Sequence, residues 1–409
     1  MSAVVKKLDE LNELLTIDEE WERLNKEIEL STPFTSPRWI RLWWKHFRRD
    51  GLWTKDEPFV LTVRDDMGAL LAVVPMMVVN RPGFGPVKLR MLRFLGADTS
   101  LTEVRGVICR RSDESVVFRA LCDFLHVRKK NWDLVEWTGI WSDGDAKAVL
   151  ETGGPPCLKK STPMYIMQLP NSWKDLVTSL SSNMRKNVRR AYEVLQSTGH
   201  NFEFRVIQRP CDVGDALDRF FRLHSQRAQA PDMLVHPDKF KALQNRAFIT
   251  ECITEIAKRD GLRIFEICIG GDVVASRLSF YLNESLYFYY AGYDPSWRHS
   301  SVMTILMAEA LKWAMERGVK LVNLSAGKDL SKLRWKPKEI SFESFVQFSS
   351  TPRARYLGGG YILAYLTVKK YSSLRLRELA RAVWERPGAS AMRLAARPRR
   401  RWTRGSGCR

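Results

Sequence analysis

Between residues 262 and 335 the spacing of apolar and polar positions changes period several times. Residues 262–269 and 273–281 are apolar runs separated by Gly270-Gly271-Asp272, and Asn283-Glu284 separates the second from the aromatic run Leu286, Tyr287, Phe288, Tyr289, Tyr290, Ala291. Strand-type composition broken by short polar turns predicts three antiparallel strands. Asp294-Pro295 marks a turn, and apolar residues then recur at 302, 305, 306, 310, 313 and 314, the spacing of a helix face. That helix is predicted to start near Ser300 and to stop at Gly318, with strands at 319–324 and 344–348 to follow.

The first half reads in the same order. Residues 1–30 predict a charged helix acting as a cap, with Leu8, Leu11, Leu14 and Leu15 on one side. An aromatic helix follows at 34–49, where Trp39, Trp43, Trp44 and Phe47 read as core. Runs at 59–63 and 70–79 flank Asp65-Asp66-Met67-Gly68 as a hairpin, 116–127 predicts a helix, and 132–137 a strand. Gly153-Gly154-Pro155-Pro156 reads as a boundary, and beyond it helices at 173–180 and 182–198, a strand at 202–206 and helical stretches at 213–229 and 237–259 lead into the strands above. The predicted fold is α+β: two domains in tandem, each a mixed, mainly antiparallel sheet flanked by helices. The divisions fall at 1–30, 31–160, 161–350 and a tail at 351–409.

A chain of 409 residues that is 45% hydrophobic can fill two cores. No apolar stretch approaches the roughly 20 residues that span a bilayer, and the first 20 residues lack a signal core, so a cytoplasmic protein is expected. Seven cysteines without a CxxC pair read as reduced thiols. The net charge of +20 changes the picture only at the end of the chain. From Thr351 onward 15 Lys and Arg face Glu378 and Glu385, a net +13. Nucleic acid is therefore not the expected partner of the body. The apolar stretch 361–366 with the basic run Arg397, Pro398, Arg399, Arg400, Arg401 suits peripheral contact with an anionic membrane, or else a solvated basic terminus.

The six histidines show neither HxxxH nor HExxH spacing, so no metal site is expected. GxGxxG, GxxxxGK[ST] and GxSxG are also absent. What remains is a helix N-terminus at Arg298, His299, Ser300, Ser301 and Val302, directly after an aromatic strand; helix amides and the dipole favour a phosphate there. Glu266, among apolar strand neighbours, is a candidate base with a raised pKa, or else a solvent-facing strand residue. Tyr290 and Tyr293 are candidate acids, and strand alternation sends Tyr289 and Tyr290 to opposite faces. Arg185 and Arg189 share a helix face able to grip a carboxylate or phosphate, with a solvated basic face as the plain alternative.

These features together resemble the GNAT acyltransferase superfamily. In that superfamily a Gly-rich loop usually stands where Arg298-His299-Ser300-Ser301-Val302 stands here. A finer resemblance is to the CelD/BcsL-type acetyltransferases. It is carried by Thr32-Pro33-Phe34-Thr35-Ser36-Pro37-Arg38-Trp39, Arg93-Phe94-Leu95-Gly96, the RKNVRRA run from Arg185 to Ala191, YYAGYDPSW from Tyr289 to Trp297, and Gly327 followed by Ser331-Lys332-Leu333-Arg334-Trp335. Members often carry Tyr at the position of Ser331.

The resemblance implies acyl-CoA, acetyl-CoA in the first instance, as co-substrate, lying against Tyr290, Ala291, Gly292, Tyr293 and the 298–302 turn. It implies acceptor contacts from Arg185, Arg189, His224, Arg227, Lys332, Arg334 and Trp335, and a catalytic second domain with a degenerate first. The acceptor expected from it is an amino sugar or sugar nucleotide in exopolysaccharide or cellulose biosynthesis. Two alternatives stay open: a FemAB-like transferase using aminoacyl-tRNA, and a non-catalytic scaffold of a polysaccharide synthesis complex.

Overall fold

In a computed structural model, residues 3–8, 11–51, 54–82, 88–98, 101–152, 156–197, 199, 201–230 and 237–371 are described. Two compact units are Met1–Arg355 and Tyr356–Arg409. The second is described only as far as 371, within helix Pro352–Tyr371, and the basic run at 397–401 lies outside the described residues.

In the first unit the strands of the first half are β1 (Ala3–Lys7), β2 (Lys55–Asp65), β3 (Leu70–Pro82), β4 (Lys88–Phe94), β5 (Ile108–Cys109) and β6 (Leu134–Trp141). The rest are β7 (Cys157–Gln168), β8 (Phe202–Ile207), β9 (Leu262–Ile269), β10 (Asp272–Leu282), β11 (Ser285–Tyr293), β12 (Leu321–Ala326) and β13 (Lys338–Phe348). They share one sheet in the order β1-β2-β3-β4-β6-β13-β7-β12-β11-β10-β9-β8, with β5 beside β3. Two adjacent pairs are parallel, β4 with β6 and β11 with β12; the other pairs are antiparallel. A helix crosses over between the members of each parallel pair, as parallel strands require. The second half thus repeats the strand pattern of the first.

Helices α1 (Asp18–Glu27), α2 (Pro37–Phe47), α3 (Glu114–Val127) and α4 (Asp145–Thr152) belong to the first half. In the second are α5 (Trp173–Ser179), α6 (Ser182–Ser197), α7 (Val213–Gln229), α8 (Leu243–Ala257), α9 (Val302–Glu316) and α10 (Leu330–Leu333), and α11 is Pro352–Tyr371. One core packs α3 and α4 on β2, β3, β4 and β6 through residues such as Val117, Leu121, Leu150, Val135 and Trp137. Another packs α6 and α9 on β9 to β12 through Val188, Leu195, Phe265, Phe288, Ile305 and Leu311. Each helix buries the face that its apolar spacing marked out.

The cap expected at 1–30 is only partly helical. Residues 3–7 alternate in burial and pair with β2 as an edge strand, Val5 opposite Val63, before a 3-10 turn and α1. Strand β7 carries Lys159-Lys160-Ser161-Thr162-Pro163, a polar stretch that hid a strand from pattern reading. Pro163 lacks an N–H, and β7 tolerates it just beyond Met164, the last residue of β7 to pair with β12.

Candidate active site

Strands β11 and β12 pair only from Ser285–Leu321 to Tyr287–Asn323 and then part. Left-handed Ser325 (φ 69°), whose N–H donates to Asn323 Oδ1 at 2.8 Å, turns β12 away. On β11 a register shift opposite Arg277 and Ser279 marks a bulge. The bulge corrects the expected alternation, because the Tyr289 and Tyr290 rings lie side by side with centroids 4.4 Å apart. Tyr289 is buried and donates to the Leu101 carbonyl, while Tyr290 is half-buried and lines a cleft of about 450 Å³.

The first half forms the opposite wall of that cleft. In the Thr32 to Trp39 motif, Ser36 Oγ accepts from Trp39 N at 3.2 Å and caps α2. The capped helix places Trp39 edge-on to Phe280, and the 3-10 turn Pro33–Thr35 before it places Phe34 edge-on to Tyr287. Trp39 Nε1 donates to Thr102 Oγ1 (3.0 Å), and Trp43 Nε1 and the Thr102 hydroxyl both donate to Asp98 (3.0 and 2.8 Å). Gly139, at φ +67°, lets the chain at Arg105 lie directly on it; a Cβ there would stand 2.4 Å from the Arg105 oxygen. The motif therefore works through packing, fixing the segment that carries Glu103.

Glu103 Oε2 accepts from the Tyr287 hydroxyl (2.5 Å) and from the Ala326 N–H (3.0 Å) at the point where β11 and β12 part. Burial raises its pKa above the usual carboxylate range, against the lowering effect of those hydrogen bonds and of Lys332 nearby. Lys332, pushed down by burial, donates to Ser325 Oγ (2.9 Å), the Ala326 carbonyl (2.8 Å) and the Gly327 carbonyl (3.3 Å). Acidic Asp98, Glu103 and Glu343 and basic Arg105, Lys160 and Lys239 line the cleft together with Tyr290. Burial raises the Tyr290 hydroxyl, so it stays protonated at neutral pH.

The residues singled out in sequence are dispersed. Glu266 is 0% exposed, and Arg219 holds its two carboxylate oxygens, each at 3.0 Å, on the face toward α7; a carboxylate so enclosed cannot reach a substrate. Tyr293 is buried in the core of the second half, and burial raises its pKa. Trp335 belongs to that core as well, and Arg334 is exposed. Arg185 donates to the Thr178 and Leu180 carbonyls (3.1 and 2.7 Å), closing the end of α5, whereas Arg189 is exposed and pairs with Glu193 at 3.0 Å. His224 Nδ1 and Arg227 both contact the Ala291 carbonyl, at 3.1 and 3.2 Å. At Gly292 a Cβ would fall 2.3 Å from the His224 backbone N, so α7 rests on bare strand backbone.

Arg298, His299 and Ser301 are exposed around the start of α9, and Ser300 and Val302 are buried. A 3-10 turn, Pro295–Ser300, intervenes before the helix, and Ser301 at φ 52° stands at its N-cap. Among the described residues no group of three or more His, Cys, Asp or Glu is placed to hold a metal ion. Glu103 went unnoticed in sequence because nothing local distinguishes it; its partner Tyr287 lies 184 residues away.

A mixed sheet whose two parallel strands part beside a helix N-terminus is GNAT-like in its fold. Residues 182–336 match the model of a family described as an acetyltransferase (GNAT) domain. Among solved structures, FemX is similar over 80% of this chain and 95% of its own, at 11% identity and a TM-score of 0.55. The C-terminal domain of a putative lysylphosphatidylglycerol synthetase from Agrobacterium fabrum aligns over 86% of this chain and 96% of its own (10% identity, TM-score 0.46). A tandem GNAT protein from the clavulanic acid biosynthesis pathway aligns over 86% and 99% (9% identity, TM-score 0.37). No curated protein sequence matches the chain.

Proposed function

We propose that the protein transfers an acyl group from acyl-CoA to the amine of a small polar acceptor, with Glu103 as the base. The observation that carries this reading is the Glu103 carboxylate, held on the cleft wall where β11 and β12 part. Its raised pKa suits it to accept the proton of an attacking amine. The protonated Tyr290 hydroxyl, which lines the same cleft, is suited to donate to the departing sulfur.

The opening beside β11 and the start of α9, with exposed Arg298, His299 and Ser301, fit a phosphorylated thioester donor. When bound, acyl-CoA supplies the activated carbonyl. Both signs of charge line the cleft, so it can match a hydroxyl-rich acceptor that carries an amine, with or without phosphate groups. An amino sugar or sugar nucleotide fits, and the CelD/BcsL resemblance favours exopolysaccharide or cellulose biosynthesis as its setting. In this reading 161–350 binds the donor and supplies Tyr290, while 31–160, degenerate as a donor-binding domain, supplies the base Glu103 to the shared cleft.

The test is release of free thiol from acetyl-CoA in the presence of glucosamine-type acceptors, comparing the parent with Glu103→Gln. Loss of about 10²- to 10⁴-fold in kcat is expected; a variant with parental turnover would remove Glu103 from the mechanism. A second reading, an aminoacyl ester donor, is favoured by the similarity to FemX across both halves and by the Ala291 carbonyl being taken up by His224 and Arg227. Transfer from aminoacyl-tRNA with none from acetyl-CoA would select it, and binding of neither donor would select the scaffold.

We further propose that residues 351–409 hold the protein on an anionic membrane surface, supported by their net +13 charge. None of the described helices is long and apolar enough to cross a membrane. Full-length protein is expected to sediment with anionic vesicles at low salt and a chain cut after Thr351 to stay in the supernatant.

A further inference from the structure

Away from the cleft, a second cavity of about 360 Å³ opens between α1, the start of α2, the end of α8 and the turn joining β10 to β11. Its wall contains two buried polar side chains whose polar atoms lack a partner. Thr32 is 1% exposed and its hydroxyl makes no hydrogen bond; Asn25 is 6% exposed and its Oδ1 accepts none. Thr32 stands at the N-cap of a 3-10 turn, where a threonine hydroxyl ordinarily bonds a backbone amide, yet it makes no such bond. A buried polar atom left without a partner is destabilising, so two on one wall need a reason.

Arg38 and Arg259 line the same cavity. Their nearest carboxylates, Glu255 and Glu22, stand at 3.8 Å, beyond hydrogen-bond length, so the guanidinium donors are not consumed by them. Burial, and then Arg259 close by, hold the Arg38 guanidinium below its ordinary pKa. Lys26 adds a third cation against one lining carboxylate, Glu22.

We propose that this cavity is a second ligand site, independent of the acyl-transfer cleft, for a small phosphate ester that also carries hydroxyl groups. The paired arginines match a phosphate, which they can grip through several N–H donors at once. With the phosphate oxygens on the arginines, Asn25 Oδ1 still calls for a donor, which a hydroxyl on the ligand supplies. Tyr281, with Pro33, Ile256 and Leu282, gives a sugar-sized body an apolar wall.

The experiment is calorimetry and thermal melting of the full chain with glucose 6-phosphate, inorganic phosphate and glucose as separate probes. Glucose 6-phosphate is expected to bind saturably and raise the melting temperature, phosphate to bind more weakly, and glucose not at all. Arg259→Ala removes an exposed side chain, and Thr32→Val is nearly isosteric. Each is expected to weaken glucose 6-phosphate at least tenfold, and Thr32→Val to melt no lower than the parent when unliganded. Absence of saturable binding, equal affinity for phosphate and glucose 6-phosphate, or unchanged affinity in both variants would overturn the proposal.

Discussion

At Glu103 the raised pKa ties catalysis and stability together with opposite signs. The carboxylate must be ionised to take a proton, so kcat/KM is expected to fall with pH through a value above the ordinary carboxylate range. A folded-state pKa above the unfolded one means that the group's contribution to stability is fully present below the unfolded value and is lost as pH rises through the folded one. Glu103→Gln is therefore expected to lose turnover while melting no lower than the parent at neutral pH, a pairing of outcomes that a purely structural glutamate would not give. Glu266 illustrates the converse. An acidic residue between apolar strand neighbours reads the same whether it faces a substrate or an arginine, and only the fold brings Arg219 across from α7 to settle which.

Elements with local punctuation were legible and those without were not. The hairpins at Gly270-Gly271 and Asn283-Glu284 are fixed by residues that themselves take positive φ, so the sequence marks them where they occur. The path of β7 through Pro163 is stabilised by β12 and β13, which come from distant sequence, and no local pattern reports it. The start of α9 lies between these cases. Gly318 and the apolar spacing set the helix, but the left-handed Ser301 and the 3-10 turn before it shift its first residue to Val302. Aspartate tolerates a left-handed backbone and caps helices well, so Ser301→Asp should keep the fold. A negative charge against a bound pyrophosphate should cost about 1 kcal/mol, roughly a fivefold loss of acetyl-CoA affinity by calorimetry. Unchanged affinity would remove α9 from the donor site.

Across the whole first unit, one carboxylate ties distant parts of the sheet. Asp133 is fully buried, accepts from the Arg90 backbone and guanidinium and from Arg353 Nε, and its own carbonyl takes the Ser349 N–H. Burial alone would raise its pKa, but those hydrogen bonds outweigh it and hold the group below the ordinary range. Its contribution is thus present above the unfolded value of about 3.9 and is lost as pH falls through the lower folded one. Asp133→Asn should cost on the order of 2 kcal/mol at neutral pH in urea unfolding, with the gap closing below about pH 4. The partner that Asp133 reaches follows β13, and β13 lies between β6 and β7, in the middle of the sheet. A ribosome making this chain in order therefore completes every other described strand before the one that joins the halves. Until residues 338–348 emerge, the nascent protein carries two bare sheet edges facing each other, the condition in which strands pair with the wrong neighbour.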